Sequence, residues 1–261
     1  MNRNQAGFSP VTTQTPRVLD ARMVQGWFAD PAAVAHYARA AAAVGLWRSE
    51  EAVFGQVFDR GGRILDVGCG AGRIALGLWR RGFRGVVGID YCSPMIDEAR
   101  ALASDLGAKI EYLVADVLRL PLSDATFGGA VFGFNGLMQI PGRATRRRAL
   151  AEIRRIVQPG GRLVFTTHDR DLSAGRAFWR EERDRWNSAM QDARLPEYGD
   201  RVLHRPEGTI FMHLPVRAEI IEDLAVTEWT HRFDELRSRL ANESAAVREF
   251  SDECRFWIAE A

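Results

Sequence analysis

The sequence predicts an α/β fold with a mostly parallel sheet and helices on both faces. Two observations lead there. Between roughly residues 60 and 168, short apolar runs alternate with helical patterns of about 10–15 residues, which implies right-handed crossovers between parallel strands. A glycine-rich turn also follows the first apolar run, in "RILDVGCGAGR" at 63–73.

Taken in order, residues 1–20 read as a loose, flexible polar lead-in without the apolar stretch of a signal peptide. A helical cap is expected over 21–60. Asp30 and Pro31 supply an N-cap and a proline at the first helical position, the alanine-rich "DPAAVAHYARAAAAVGLW" follows, and "EEAVFGQVF" continues in the same style. The core is expected over 61–168. It opens with the strand "RILDVG" and the helix "GRIALGLWRRG", which ends near Gly82. The strand "GVVGID" and the helix "SPMIDEARALASDLG" come next, with Ser93 as N-cap and Pro94 behind it. "IEYLVAD" and "GGAVFGFN" read as strands, "RATRRRALAEIRRIV" as a helix and "PGGRLVFTTH" as a turn and strand. Arg146, Arg147, Arg148, Arg154 and Arg155 spread around that helix beside Glu152, so a solvated face is expected. The rhythm breaks after His168. Residues 169–213 are rich in arginine, aromatics and histidine and read as a lid and substrate-recognition insertion. In 214–261, "VRAEIIEDLA" reads as a helix, and "AVTEWTHRF" and "CRFWIAEA" as two late strands that complete the core.

A strand, a glycine turn and a helix N-terminus make a ligand site in such sheets. Gly68, Gly70 and Gly72 follow G-x-G-x-G, not the G-x-G-x-x-G of a nucleotide pyrophosphate fingerprint. Asp66 at the turn repels a phosphate and suits a ligand with a positive group. Asp90, at the end of the next strand, is placed to accept hydrogen bonds from both hydroxyls of a ribose. Asp116 closes "VAD" and can hold an exocyclic amine such as that of adenine. A nucleoside with a cationic, phosphate-free tail fits this set, and S-adenosylmethionine is such a molecule.

At these residues the sequence resembles a known family. "LDVGCGAGR", "GID" with "SPMIDEAR", "VAD" with "LPLSDATF" and "EIRRIVQPGGRLVF" are similar to the successive motifs of class I S-adenosylmethionine-dependent methyltransferases, closest in style to the small-molecule, quinone-biosynthesis branch. The resemblance covers about residues 60–168. It implies a Rossmann-like seven-stranded sheet in the order 3-2-1-4-5-7-6, the seventh strand antiparallel, with "CRFWIAEA" as that strand. It implies that Gly68, Cys69, Gly70 and Gly72 lie against the methionine part of the cofactor with Asp66 near its ammonium. Asp90 takes the ribose hydroxyls, Tyr91 and Met95 pack near the adenine, Asp116 meets the adenine amine and the Val117 amide a ring nitrogen. Asn135, among the cofactor contacts, opens the segment after the fourth strand, which faces the cofactor sulfur. Two positions depart from the pattern: Phe127-Gly128 stands where Phe-Asp is usual, and Gln139 where histidine is frequent.

Methyl transfer needs a general base only when the nucleophile arrives protonated. His168, at the end of the fifth strand, is the candidate base. Tyr37 and Gln139, and from the insertion Trp179, Trp186, Tyr198, His204 and Phe211, are the candidate substrate contacts, although each aromatic can equally bury the lid's own small core. His168, Asp169 and Asp171 mimic part of a magnesium set, but that chemistry needs an acidic ligand after the fourth strand and Asn135 stands there, so no metal is expected.

The 261 residues suffice for one large domain or a domain with a small lid, and a net charge of +1 gives no global field that favours nucleic acid. No run reaches the roughly 20 apolar residues of a membrane span. Lys109 is the lone lysine, an arginine bias read as bacterial. Cys69, Cys92 and Cys254 are odd in number and far apart, which fits a reducing cytoplasm. The expected protein is a cytoplasmic monomer or homodimer acting on a small molecule. An RNA or protein methyltransferase and a non-catalytic S-adenosylmethionine-binding regulator stay open as alternatives.

Overall fold

The computed structural model describes residues 18–172, 175–206 and 208–261. Most of the expected lead-in, residues 1–17, lies outside the described residues. The cap holds α1 (Ala21–Phe28), α2 (Pro31–Ala43) and α3 (Arg48–Val57). Asp20 caps α1 by accepting from the Met23 amide, and Asp30 caps α2 from the Ala32 amide with Pro31 in the first turn.

The core then alternates β1 (Arg63–Val67), α4 (Arg73–Arg80), β2 (Gly85–Asp90), α5 (Ser93–Asp105) and β3 (Glu111–Val114). After β4 (Phe127–Phe132), a 3-10 turn over Gly136–Gln139 leads to α6 (Arg143–Ile156) and β5 (Val157–Thr167). The insertion contributes α7 (Arg176–Asn187) and a separate hairpin of β6 (Asp200–Arg205) and β7 (Gly208–His213). The chain closes with α8 (Arg217–Val226), β8 (Thr230–Leu236), α9 (Arg237–Leu240), α10 (Ala245–Phe250) and β9 (Arg255–Glu260).

Seven strands lie in the order β3-β2-β1-β4-β5-β9-β8, and β9 runs antiparallel to both of its neighbours. This is the order that the resemblance implies. Side chains alternate between two apolar layers: Ile64 and Val86 enter the layer under α3 to α5, and Leu65, Val67, Val87 and Ile89 enter the other. Because both faces are covered, β1 after the exposed Arg63 reads as an apolar run broken by Asp66. Strand order reverses between β1 and β4, and that reversal leaves a crevice at their carboxyl ends.

Three local expectations are corrected. The N-cap of α5 is Cys92, not Ser93, because the Asp90 carboxylate already accepts from the Cys92 amide and fixes the turn there. The expected strand "AVTEWTHRF" begins only at Thr230: Ala225 and Val226 are the last residues of α8, and Thr227 caps it, its hydroxyl donating to the Asp223 carbonyl at 2.6 Å. Arg146 is not on a solvated face: its side chain is fully buried, 2.6 Å from Glu197 and 3.4 Å from Glu219. His213 joins this cluster, 2.7 Å from Asp200 and 2.8 Å from Glu219. Burial lowers its pKa, but hydrogen bonds to these two carboxylates outweigh it and the net shift is upward. The cluster fastens the hairpin to α6 and α8.

Gly72 shows how tightly the turn is packed. Its φ is +85°, and a Cβ there would lie 2.6 Å from the Tyr112 hydroxyl and 3.2 Å from Ala99. Gly72→Ala is expected to destabilise the protein by about 1–3 kcal/mol through strain and overpacking. Urea unfolding checks this, and an unchanged midpoint would contradict the packing described.

Candidate active site

The described residues form a cleft over the carboxyl ends of β1, β2 and β4, with the cap as its roof. Its floor is the glycine turn. The Gly70 amide donates to Asp90 Oδ2 at 2.9 Å and the Cys92 amide to Asp90 Oδ1 at 2.9 Å, so one carboxylate pins both the turn and the start of α5. Gly70 has φ +52°, and a Cβ on it would meet nothing within 4 Å, which leaves bare backbone facing the cleft. Burial raises the Asp90 pKa, although the amides of Cys92 and Gly70 oppose the rise.

Asp66 lies deeper, with Oδ2 accepting from the Ala75 amide at 2.9 Å near the N-terminus of α4. Burial pushes its pKa up to about 8, against the pull of Arg73 and the Ala75 amide. Arg73 is already committed elsewhere. Its Nη1 and Nη2 each donate to Glu50 at 2.6 Å, and Nη1 also reaches the Gly45 carbonyl at 2.8 Å. Glu50 is buried on α3 and also accepts from the Trp47 amide, while the guanidinium lies 4.9 Å from the Trp47 ring centroid. Asp116 accepts from the Leu118 amide at 2.9 Å and borders the third strand's end of the cleft.

The roof is aromatic. Phe28, Tyr37, Phe134 and Phe250 line it. Phe134 and Phe250 stack at 4.9 Å between centroids, and Tyr37 meets Phe134 edge-on at 6.1 Å. Gln139, Ile140 and Pro141 complete this end.

Residues 64–161 match the family described as "Methyltransferase domain". The chain is 30% identical over 193 residues to a ubiquinone biosynthesis O-methyltransferase of Alkalilimnicola ehrlichii, covering 66% of this chain and 73% of that protein. The chain belongs to the class I S-adenosylmethionine-dependent methyltransferases. A demethylmenaquinone methyltransferase of Thermus thermophilus is 40% identical over 105 residues, 39% of this methyltransferase and only 45% of that relative's length. An S-adenosylmethionine-dependent methyltransferase of Methanosarcina mazei shares the fold, with a TM-score of 0.65 at 22% identity over 83% of this chain and 98% of that one. No helix among the described residues is long and apolar enough to cross a membrane.

The cleft of this methyltransferase gathers Asp66, Gly68, Cys69, Gly70, Asp90, Tyr91, Met95, Asp116, Val117, Tyr37 and Gln139 among the expected residues. Gly72 and Asn135 do not line it. Gly72 packs on Tyr112, and Asn135 is buried behind the turn, its amide donating to Thr166 Oγ1 at 2.9 Å. His168 does not line it either, and both its ring nitrogens are engaged, with Asn135 and the Glu253 carbonyl.

The insertion's candidates also lie elsewhere. Trp179 and Trp186 each meet Tyr198 edge-on, Arg170 lies 4.5 Å from the Tyr198 centroid, and the Tyr198 hydroxyl donates to the Trp179 carbonyl. They bury the lid's own core. His204 is exposed and paired with Thr209, and Phe211 is buried with Leu19 and Val24 under α1. Asp169, read as part of a metal mimic, pairs with Arg255 at 2.8 Å.

Sequence reasoning missed Arg73, Glu50, Phe134 and Phe250. Arg73 and Phe134 had a signal, since each adjoins a named motif residue. Glu50 and Phe250 had none, because their partners are distant in the chain.

Two outcomes follow. Glu50→Ala leaves the Arg73 guanidinium buried without its carboxylate, and a loss of about 3–5 kcal/mol is expected in urea unfolding. A near-zero change would mean that the pair does not hold cap to core. Asp66 titrates near 4 unfolded and about 8 folded, so between these values the folded state holds the extra proton. Its contribution to stability is full below that window and is lost as pH rises through it. Asp66→Asn should therefore flatten the fall in melting temperature between pH 5 and 8, roughly the span of those two pKa values.

Proposed function

We propose that this protein transfers a methyl group from S-adenosylmethionine to a small, planar, mostly apolar acceptor and releases S-adenosylhomocysteine. The supporting observation is the division of the cleft. Its strand-tip half carries Asp66, Asp90 and Asp116 around the open backbone of Gly70, and its cap half carries Phe28, Tyr37, Phe134 and Phe250. Acidic groups at the turn favour a cationic nucleoside over a pyrophosphate, and an ammonium arriving beside Asp66 would draw off the proton that burial holds there. Gly70 leaves room for a ligand to approach the main chain, and Asp90 keeps lone pairs for ribose hydroxyls beyond its two amide donors.

On this reading Asp66 faces the ammonium, and Gly68, Cys69 and Gly70 cradle the methionine part. Asp90 holds the ribose, Tyr91 and Met95 pack on the adenine, and Asp116 with the Val117 amide reads its edge. When bound, the cofactor supplies a methyl group already activated by the positive sulfur. The aromatic half excludes water from the acceptor and orients its plane, and Gln139 offers one amide as a polar handle.

No Asp, Glu or His lines that half among the described residues. The acceptor's nucleophile is therefore read as ionised or electron-rich on arrival, so that it needs no residue as a strong base. The buried free thiols of Cys69, Cys92 and Cys254 support a reducing, cytoplasmic setting.

Calorimetric titration with S-adenosylmethionine, S-adenosylhomocysteine and NAD tests the cofactor half. The first two should bind, and Asp90→Ala should weaken them by about 1.5–3 kcal/mol for each charge-assisted hydrogen bond removed. Binding of NAD alone would overturn the reading. Release of S-adenosylhomocysteine across a panel of phenols and hydroquinones tests the acceptor half. Tight cofactor binding with no turnover on the panel, or with turnover only on RNA or protein, would move the assignment to a regulator or a macromolecular methyltransferase.

A further inference from the structure

His168 joins two segments that each carry a wall of the aromatic half. Its Nδ1 lies 2.9 Å from the Glu253 carbonyl oxygen and its Nε2 lies 3.2 Å from Asn135 Nδ2. A carbonyl only accepts and an amide nitrogen only donates, so the ring donates from Nδ1 and accepts at Nε2. The opposite turn of the Asn135 amide would set two acceptors against each other. Asn135 Oδ1 is buried with no partner among the described residues, so the amide is held through its nitrogen alone.

The segment on one side is strained. Phe134 and Asn135 have φ +49° and +60°, two consecutive non-glycine residues in the left-handed region. Such a turn persists only where its surroundings over-determine it. Here the Asn135 amide is held by Thr166 Oγ1 on β5, and its side chain is held by His168 two residues further along. The segment on the other side carries Phe250 three residues before Glu253. Phe250 stacks on Phe134 at 4.9 Å and on His36 at 5.4 Å.

We infer that His168 is a positioning residue: its imidazole locks the Phe134–Asn135 turn to the 250–254 segment and so sets the width of the aromatic half of the cleft. Proton transfer is not its task, since neither nitrogen faces the cleft. The inference rests on the reading of that half as the acceptor site.

The test compares His168→Ala, His168→Gln and Asn135→Ala in the full chain, by hydrogen exchange and by titration with S-adenosylhomocysteine. His168→Ala should speed exchange about tenfold or more in both 134–139 and 250–254. Asn135→Ala should reproduce the effect in 134–139. His168→Gln keeps one donor and one acceptor and should restore protection in both segments. S-adenosylhomocysteine affinity should change by less than about threefold, because the cofactor half is untouched. Acceleration in one segment only, or in neither, overturns the strut.

With an acceptor from the phenol and hydroquinone panel, His168→Ala should raise KM more than it lowers kcat, and His168→Gln should recover KM. A kcat loss that Gln does not rescue, with one limb of the pH–rate profile removed, would make His168 a base instead. Failure of wild-type protein to bind S-adenosylhomocysteine would overturn the cofactor reading while leaving the exchange result to judge the strut.

Discussion

Arg73 is the cation around which the cleft is arranged. It follows the glycine turn directly and starts α4, yet its Nη1 and Nη2 point into the cap, to Glu50 and the Gly45 carbonyl. A buried bidentate pair is weak evidence of net stability, because desolvation offsets most of its attraction. Its effect is registration. The pair ties α3 to the first residue after the turn, so the roof of the cleft is referenced to its floor. The same arrangement explains Asp66. Arg73 pulls its pKa down, but that charge is shared with Glu50, and burial then dominates and raises Asp66 to about 8.

The second constraint is the position of the roof. Helix α1 borders the cleft through Val24 and Phe28, and the hairpin β6–β7 supports it from behind through Phe211 and Val202. The hairpin in turn is fastened by the buried group of Arg146, Glu197, Asp200, His213 and Glu219. The insertion thus acts on the cleft at one remove. Its Phe178, Trp179, Trp186 and Tyr198 pack on its own arginines and on one another, and the walls come from the cap, the tip of β4 and the segment before β9.

The two halves of the cleft differ in origin. Acidic groups stand at the tips of β1 and β2 and just after β3, fixed by main-chain amides of the neighbouring turns and of the start of α4. The rings arrive from α1, α2, the turn after β4 and the end of α10, four elements that share no local sequence pattern. Backbone geometry at the sheet edge therefore fixes the polar half, whereas long-range packing fixes the apolar half.

That difference sets what could be read from the chain alone. The sheet order, the glycine turn and Asp66, Asp90 and Asp116 were legible, because period-two apolar runs, punctuating glycines and carboxylates at strand ends are local signals. The placement of Gly72 behind the cleft was not, since two glycines two residues apart look alike until Tyr112 is packed against one of them. The burial of Arg146 and the withdrawal of Trp179, Trp186, Tyr198 and Phe211 from the cleft were hidden for the same reason: an arginine or an aromatic is amphipathic, and only its distant neighbours decide which end is covered. By itself the sequence determined the α/β core and the acidic, glycine-floored half of the site, which depend on residues close in the chain. Tertiary structure alone decided the aromatic wall, the Arg73–Glu50 tie and the engagement of His168, because each joins segments whose meeting is fixed by packing of the whole sheet.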